Sequence, residues 1–182
     1  MRKKPTAWLT VGILGGVLGG AIGAVQAGVR INLSPSMPKG LYRLVQCDET
    51  AGRDAAVGDW VAIDSKEASS NPGVAFFRTQ GWLTYSGRPD DLLMKTIVAV
   101  GGDEVTENDG RLCVNGTPLA KSASKRQRVI GTLSLPSVEL PQRIKEGEVW
   151  LSSDHEKGID SRYFGAVARS SIVCKVEAAW TL

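Results

Sequence analysis

The sequence is poor in the residues on which many catalytic centres are built. Its 182 residues include a single histidine, His155, and three cysteines, Cys47, Cys113 and Cys174. One histidine with scattered carboxylates does not supply a metal site, and the cysteines lack paired metal-ligand spacing. We therefore expect no metal and no cofactor. A Ser-His-Asp hydrolase is also disfavoured, because His155 lies in a polar segment and is expected to be a solvated loop residue.

Excess positive charge is missing from most of the chain. Lys and Arg number 22 against 19 Asp and Glu, and the two signs balance once Arg2, Lys3 and Lys4 are set aside. Nucleic-acid binding needs cationic side chains clustered on the folded domain, so we expect no nucleic-acid partner. The pair Gly101-Gly102 lacks the spacing and the Lys-Ser/Thr of a phosphate-binding loop.

A long segment near the N-terminus lacks charge altogether. Residues 6–29 contain no charged side chain, and about 20 apolar helical residues suffice to cross a bilayer. The basic cluster before them predicts a cytoplasmic N-terminus over residues 1–5, a single-pass anchor in the inner (cytoplasmic) membrane, and a periplasmic domain over 30–182. The alternative is a cleaved signal peptide, because Val25-Gln26-Ala27 has small residues where a leader peptidase cuts.

Both interpretations export the rest of the chain to an oxidising compartment. One disulfide with a leftover thiol is then expected among Cys47, Cys113 and Cys174, but the sequence does not choose the pair.

Helix signals are scarce after residue 30, and the pattern is typical of a β-rich domain. Predicted strands are Gly40–Val45, Asp59–Ile63, Met94–Val100, Arg111–Val114, Pro118–Leu119, Glu148–Leu151 and Ile172–Val176. Asn115-Gly116 predicts a two-residue hairpin turn, because both central positions need positive φ. The polar, proline-containing stretch at about 107–141 predicts an insert or cap that projects from a sheet.

A serine close to two prolines follows the apolar segment. Pro35 and Pro38 fix the backbone φ around Ser36 and remove hydrogen-bond donors, so this loop is stiff. A serine hydroxyl becomes an effective nucleophile when a neighbouring base accepts its proton. Ser36 is therefore a candidate nucleophile, although Ser and Pro are also ordinary residues of surface turns.

A lysine interrupts an apolar strand later in the chain. Side chains alternate along a strand, so Lys95 shares one face with Ile97 and Ala99, and the apolar residues around it predict a strand covered on both faces. Burial disfavours the charged form and lowers the pKa of a lysine, and a neutral amine can act as a general base. The alternative is a lysine whose buried stem lets the ammonium reach water.

Three segments, in order, resemble the elements of type I signal peptidases. Ser34-Pro35-Ser36-Met37 is similar to their Ser-x-Ser-Met element. Lys95, in Met-Lys-Thr-Ile-Val-Ala-Val-Gly-Gly-Asp, lies in a counterpart of their Lys-Arg-Val-x-Gly-x-Gly-Asp element, and Asp160-Ser161-Arg162-Tyr163-Phe164-Gly165 resembles their Asp-Ser-Arg-x-x-Gly element. The alternating residues Asn32, Ser34, Ser36, Pro38, Gly40 and Tyr42 resemble the signature of conjugative-transfer (TraF-type) peptidases, which mature pilins.

The resemblance implies a mainly β fold: a signal-peptidase-like coiled β-sheet catalytic domain with a small β-rich cap insert, preceded by one N-terminal transmembrane helix. It also implies a membrane-anchored serine endopeptidase that cleaves a pilin-like or other exported precursor. Some members of the branch also join pilin ends. The alternatives are a general leader peptidase and a non-catalytic anchored β-domain of a mating or secretion apparatus. Oligomeric state is not predicted.

The resemblance also assigns roles within the site. Ser36 would attack the substrate carbonyl and Lys95 would accept its proton, while the Ser36 N–H and the Ser34 hydroxyl would form the oxyanion hole. Supporting roles fall to Asp160, Ser161 and Arg162. The chain departs from leader peptidases at Gly158, where they carry a serine that hydrogen-bonds the lysine. Ser161 or a backbone carbonyl is then a candidate to hold the Lys95 amine.

Overall fold

The structure is a computed structural model that describes residues 27–34, 36–83, 92–119, 129–130, 132–153, 155 and 158–182, together with Gly19, Gly20 and Gly23. The predicted cytoplasmic N-terminus and most of the predicted anchor at 6–29 lie outside the described residues. Among the residues that are described, no helix has the length and apolar character needed to cross a bilayer.

Strands dominate the described part of the chain. Their bounds are β1 Val29–Asn32, β2 Gly40–Val45, β3 Trp60–Asp64, β4 Leu92–Val100, β5 Glu104–Asn108, β6 Arg111–Val114, β7 Thr117–Pro118, β8 Val129–Ile130, β9 Leu133–Ser134, β10 Gln142–Arg143, β11 Glu148–Ser152, β12 Val167–Ala168 and β13 Ile172–Thr181. Short helices connect them: α1 Ala51–Asp54, α2 Pro72–Thr79 and α3 Ser161–Phe164, with 3-10 turns at Glu67–Ser70 and Arg169–Ser171.

The main sheet has seven strands in the order β1-β2-β13-β3-β4-β11-β12, and every neighbouring pair is antiparallel. A four-stranded sheet, β10-β5-β6-β7, continues from the end of β4, and β8 pairs with β9. Ala99 and Trp150 of the main sheet pack with Val105, Leu112 and Ile144, so a shared apolar cluster joins the two larger sheets. The prediction of a mainly β protein is confirmed.

The strongest strand patterns were predicted to the residue. β2 and β6 have the expected bounds, and the turn between β6 and β7 has Asn115 and Gly116 at φ of 50° and 80°, as predicted. β13 extends five residues beyond the predicted end at Val176. The sequence patterns missed β1, β5, β8, β9, β10 and β12. The domain divisions, including the insert at 107–141, stay predictions.

Helix α2 was also missed, and its start is set by an Asn-Pro-Gly sequence. The Asn71 side chain accepts hydrogen bonds from the backbone N–H groups of Gly73 and Val74, while Pro72 occupies the first turn, where it costs no hydrogen bond. A Cβ on Gly73 would lie 2.6 Å from the Phe164 Cα, so only glycine allows this approach. The helix therefore packs tightly against the segment that carries Asp160 and Arg162.

A disulfide links two neighbouring strands of the main sheet. Cys47, just after β2, is bonded to Cys174 of β13, and the two residues are 127 positions apart in the chain. Cys113 is buried with a free thiol. The bond thus settles the pairing that the sequence left open, and it joins the end of β2, which follows the Ser36 loop, to the C-terminal strand.

Removal of this disulfide should destabilise the protein. Closing a loop of this length in the unfolded chain corresponds to about 3–5 kcal/mol, so the Cys47→Ala/Cys174→Ala variant should lose about that much free energy of unfolding. Denaturant titration with and without a reducing agent measures the effect. Cys113→Ala is the control, and its titration should still respond to the reductant. An unfolding midpoint of the double variant equal to that of the oxidised parent would contradict the pairing.

Candidate active site

The candidate nucleophile lies on a tight hairpin loop at the edge of the main sheet. Asn32 pairs with Gly40 across β1 and β2, so only seven residues separate the two strands. Within this loop Ser36 is half-buried, while Met37 is buried against Tyr42. The Ser36 Oγ lies 2.7 Å from the Ser34 Oγ, so the two predicted site serines form a hydrogen bond.

Lys95 lies in the interior of the main sheet. It is on β4, between β3 and β11, and only 4% of its surface is exposed. The side chains of Ile97 and Ala99 on the same face have no exposure, whereas the opposite face of β4 is only partly buried. The face that carries Lys95 is buried as predicted, and the opposite face is partly covered, because Met94 and Val98 pack against apolar clusters.

The electrostatic environment of the Lys95 amine favours its neutral form. Burial lowers the pKa of Lys95, because the charged form loses its hydration. The Asp160 carboxylate opposes this shift and the Arg162 guanidinium adds to it. The Lys95 side chain makes no hydrogen bond or ion pair with the other described residues.

Ser36 and Lys95 line the same cavity, which has a volume of about 590 Å³. One wall comes from β1 and the loop that carries Ser36, and another comes from the start of β4. The lining residues are Arg30, Ile31, Asn32, Leu33, Ser34, Ser36, Leu44, Trp82, Leu83, Leu92, Leu93, Met94, Lys95, His155, Gly158 and Ile159. Most of them are apolar, and the polar groups in the lining are the Ser34 and Ser36 hydroxyls, the Lys95 amine and the side chains of Arg30, Asn32 and His155. The described residues contain no group of three metal-ligating side chains.

A buried ion pair lies beside Lys95. The side chains of Asp160 and Arg162 are 0% and 1% exposed, and the Arg162 Nε donates to the Asp160 Oδ1 at 2.8 Å. The Arg162 Nη2 donates to the Asp160 Oδ2, and also to the backbone carbonyls of His155 and Gly158. The pair therefore fixes the backbone at His155 and at Gly158, and both of these residues line the cavity.

The other predicted residues have different partners. The Ser161 Oγ accepts a hydrogen bond from the Leu151 N–H at 2.9 Å, and this ties helix α3 to β11. His155, predicted to be solvated, is half-buried and lines the cavity. Sequence reasoning missed this, because the position of residue 155 depends on the Arg162 contact with its carbonyl.

The chain is similar to signal peptidases and to conjugal transfer proteins. The family model described as "Signal peptidase, peptidase S26" matches residues 6–181. The chain belongs to this family. A "Probable conjugal transfer protein TraF" of Sinorhizobium fredii is 33% identical over 80% of this chain and 73% of its own. A "Plasmid transfer protein TraF" of Escherichia coli is 32% identical over 87% of this chain and 86% of its own. A solved signal peptidase I from Enterococcus faecalis is 22% identical, covers 70% of this chain and 97% of its own, and gives a TM-score of 0.39.

The departure at Gly158 has a structural explanation. A Cβ on Gly158 would lie 1.8 Å from the Ser153 Oγ, so the space for a side chain at 158 is already filled by Ser153. Ser153 is 3% exposed, and its N–H and hydroxyl both donate to the Asp160 Oδ2, at 2.9 and 2.6 Å. Because Ser152 pairs with Thr96, the antiparallel register leads Ser153 to a position opposite Lys95. A hydroxyl is therefore present near the ion pair, but it comes from residue 153, which no sequence motif indicated.

The space between positions 153 and 158 should therefore hold the side chain of only one of the two residues. Gly158→Ala should lower the free energy of unfolding by about 1–3 kcal/mol, because the added Cβ overlaps the Ser153 side chain. In a Ser153→Gly background the same change should cost much less. Denaturant titrations of the four proteins measure the coupling. An equal cost of Gly158→Ala in both backgrounds would show that the two positions do not compete.

Proposed function

We propose that this protein is a membrane-anchored serine endopeptidase that processes a pilin-like precursor in conjugative transfer. The observation that carries the proposal is the cavity lined by both Ser36 and the buried Lys95. Membership of the signal peptidase family supports peptidase chemistry, and the TraF relatives support conjugative transfer as the setting.

The proposed reaction uses only these side chains. The Ser36 Oγ attacks the carbonyl carbon of the scissile bond and transfers its proton to the neutral Lys95 amine. The Ser36 N–H and the Ser34 hydroxyl donate to the resulting oxyanion. As the tetrahedral intermediate collapses, Lys95 returns the proton to the leaving amine, and an acyl-enzyme remains on Ser36. The Ser36–Lys95 hydrogen bond forms in the substrate complex, since catalytic hydrogen bonds are often long before substrate binds.

The fate of the acyl-enzyme decides between cleavage and cyclisation. Water releases the cleaved precursor, whereas an amine of the same pilin would form a new peptide bond and close a ring. The apolar lining of the cavity supports restricted access of water, which favours attack by an amine. Both outcomes use the same Ser36 and Lys95.

The edge strand beside the nucleophile supports a peptide substrate. β1 is the outermost strand of its sheet, so its outer edge lacks a partner among the strands of the described chain. An extended peptide can pair with such an edge through main-chain hydrogen bonds while side chains enter an adjacent pocket. The cavity lies directly beside this edge, because Arg30 and Asn32 of β1 line it.

An exposed apolar strip supports a location at the membrane surface. Ile31 pairs with Leu41, and Leu41 pairs with Trp180, so these three side chains form a row across β1, β2 and β13. Their exposed fractions are 51%, 38% and 56%. The row begins two residues after the predicted anchor, and such a patch fits the interface of a bilayer. The Cys47–Cys174 disulfide supports a periplasmic location of this domain.

Replacement of either proposed catalytic residue should abolish processing. Ser36→Ala removes the nucleophile and Lys95→Met removes the base, so each should slow precursor cleavage by at least about 1,000-fold. Mass spectrometry of the pilin precursor encoded in the same transfer region, co-expressed with each variant, measures the maturation. Exposed Ser70→Ala and Lys145→Met are matched controls that should process normally.

The outcomes separate the competing functions. Wild-type processing by Ser36→Ala or Lys95→Met would refute the proposed mechanism, and full mating activity of both variants would indicate a non-catalytic part of the apparatus. Cleavage of many unrelated leaders at comparable rates would indicate a general leader peptidase.

The rate of cleavage should rise with pH and level off below the titration range of a free lysine. Burial lowers the pKa of Lys95, so its neutral amine, the active base, forms at a lower pH than that of a free lysine, which titrates at about pH 10.4. A pH profile of kcat/KM with the full-length protein in detergent measures this. Conversely, a rate that still increases steeply above that pH would mean that Lys95 is not a desolvated base.

A further inference from the structure

We infer that Asn32 is a positioning residue of this site, whose side-chain amide directs the Ser34 hydroxyl and fixes the loop that carries Ser36. The inference rests on the proposed function, because it concerns how the oxyanion hole is prepared. Asn32 does not face the reaction as a nucleophile or a base. It acts through Ser34.

Asn32 is the last residue of β1, and only 7% of its surface is exposed. The two N–H groups of its Nδ2 are shared among three backbone carbonyls of the loop, those of Ser34, Met37 and Pro38, each 3.1 Å from the nitrogen. Its Oδ1 accepts from the Ser34 N–H at 3.1 Å and from the Ser34 Oγ at 2.8 Å. One side chain therefore holds both ends of the loop, with Ser36 between them.

The backbone partners determine which way the Asn32 amide faces. The three carbonyls can only accept, so they require the NH₂ group, and the Ser34 N–H can only donate, so it requires the oxygen. A flipped amide would leave these partners mismatched. The direction of the next hydrogen bond follows from this orientation.

The Ser34 hydroxyl must be the donor in its hydrogen bond to Asn32, because the Asn32 Oδ1 is only an acceptor. The Ser34 Oγ can then only accept in its 2.7 Å contact with Ser36, so Ser36 is the donor there. The resting site thus contains a directed chain in which Ser36 donates to Ser34 and Ser34 donates to Asn32.

The reaction requires both protons to change direction. The Ser36 proton must move to Lys95, and the Ser34 proton must turn from Asn32 to the oxyanion. During this change the Ser34 N–H still donates to the Asn32 Oδ1, so the Ser34 Oγ stays within reach of the reacting carbonyl. Asn32 therefore sets the position of an oxyanion donor before the oxyanion exists, and its contribution should appear in kcat and depend on the Ser34 hydroxyl.

A double-mutant cycle between Asn32 and Ser34 tests the inference. The full-length protein in detergent is assayed with a fluorogenic peptide that carries an Ala-x-Ala cleavage sequence. Ser34→Ala should lower kcat by about 100–1,000-fold, as loss of an oxyanion donor does. Asn32→Ala should lower kcat at least about 10-fold with KM little changed, but in the Ser34→Ala background it should have much less effect.

Tyr42→Phe is the matched control. The Tyr42 hydroxyl donates to the same Pro38 carbonyl as Asn32, whereas the side-chain hydrogen bonds of Ser34 are to Asn32 and Ser36. Any loss of kcat in Tyr42→Phe should therefore have the same size with and without the Ser34 hydroxyl. If Asn32→Ala behaves in this additive way too, Asn32 only stabilises the loop and the inference is overturned.

Asn32→Asp gives a second test, in which the acceptor for Ser34 is kept and only the Nδ2 donor to the loop carbonyls is lost; denaturant titration of this variant confirms that it is folded. The carboxylate keeps the acceptor for Ser34 and binds its proton more strongly, so Ser34→Ala should cost far less kcat in this background than in the wild type. An unchanged cost would overturn the inference. Ser36→Ala, assayed in parallel, separates the two proposals. Wild-type turnover by this variant would refute the proposed function. Loss of turnover in this variant, together with additive effects of the Asn32 and Ser34 substitutions, would refute only the role of Asn32.

Discussion

The exclusion of water from one amine is the constraint on which the rest of the site depends. Lys95 lies on a central strand, and the fully buried Ile97 and Ala99 continue its face of the sheet. An exposed lysine would be almost entirely charged at neutral pH and could not accept a proton from serine. The position of Lys95 within the sheet, rather than a hydrogen-bonding partner, thus provides the base for the proposed chemistry.

The two charges of the buried ion pair act on the pKa of this amine in opposite directions. The Asp160 carboxylate alone would favour a charged Lys95, but its two oxygens accept five hydrogen bonds from Ser153 and Arg162. The Arg162 charge acts on Lys95 in the opposite direction. Arg162 also donates hydrogen bonds to the carbonyls of His155 and Gly158, and both of these residues line the cavity. The ion pair therefore influences the Lys95 pKa and also holds part of the cavity wall in place.

The alternating residues around Ser36 have a structural basis. Gly40 is required because a Cβ there would lie 2.1 Å from the Trp180 carbonyl oxygen, where β2 meets β13. The buried Tyr42 and Asn32 both donate to the Pro38 carbonyl, so the end of the loop is held from two sides. These residues keep the half-buried Ser36 on a loop of fixed shape.

The sequence could predict the features that depend on local residue patterns. The features that depend on contacts between distant segments could not be predicted from it. The face of Lys95 followed from alternation along an apolar strand. β5, by contrast, was missed because Glu104–Asn108 is mostly polar and pairs with β6 and β10 rather than burying a regular face. The Ser153 hydroxyl could not be found either, because its proximity to Gly158 depends on the contacts of Arg162 with the carbonyls of His155 and Gly158.

The most direct test is the titration of the Lys95 amine itself in the resting protein. NMR of the full-length protein with isotope-labelled lysine side chains follows each amine with pH, and Lys95→Met identifies the signal by its loss. The burial of Lys95 predicts a signal that titrates clearly below the exposed lysines, which do so near pH 10.4. A Lys95 signal that titrates together with them, or above them, would contradict the account.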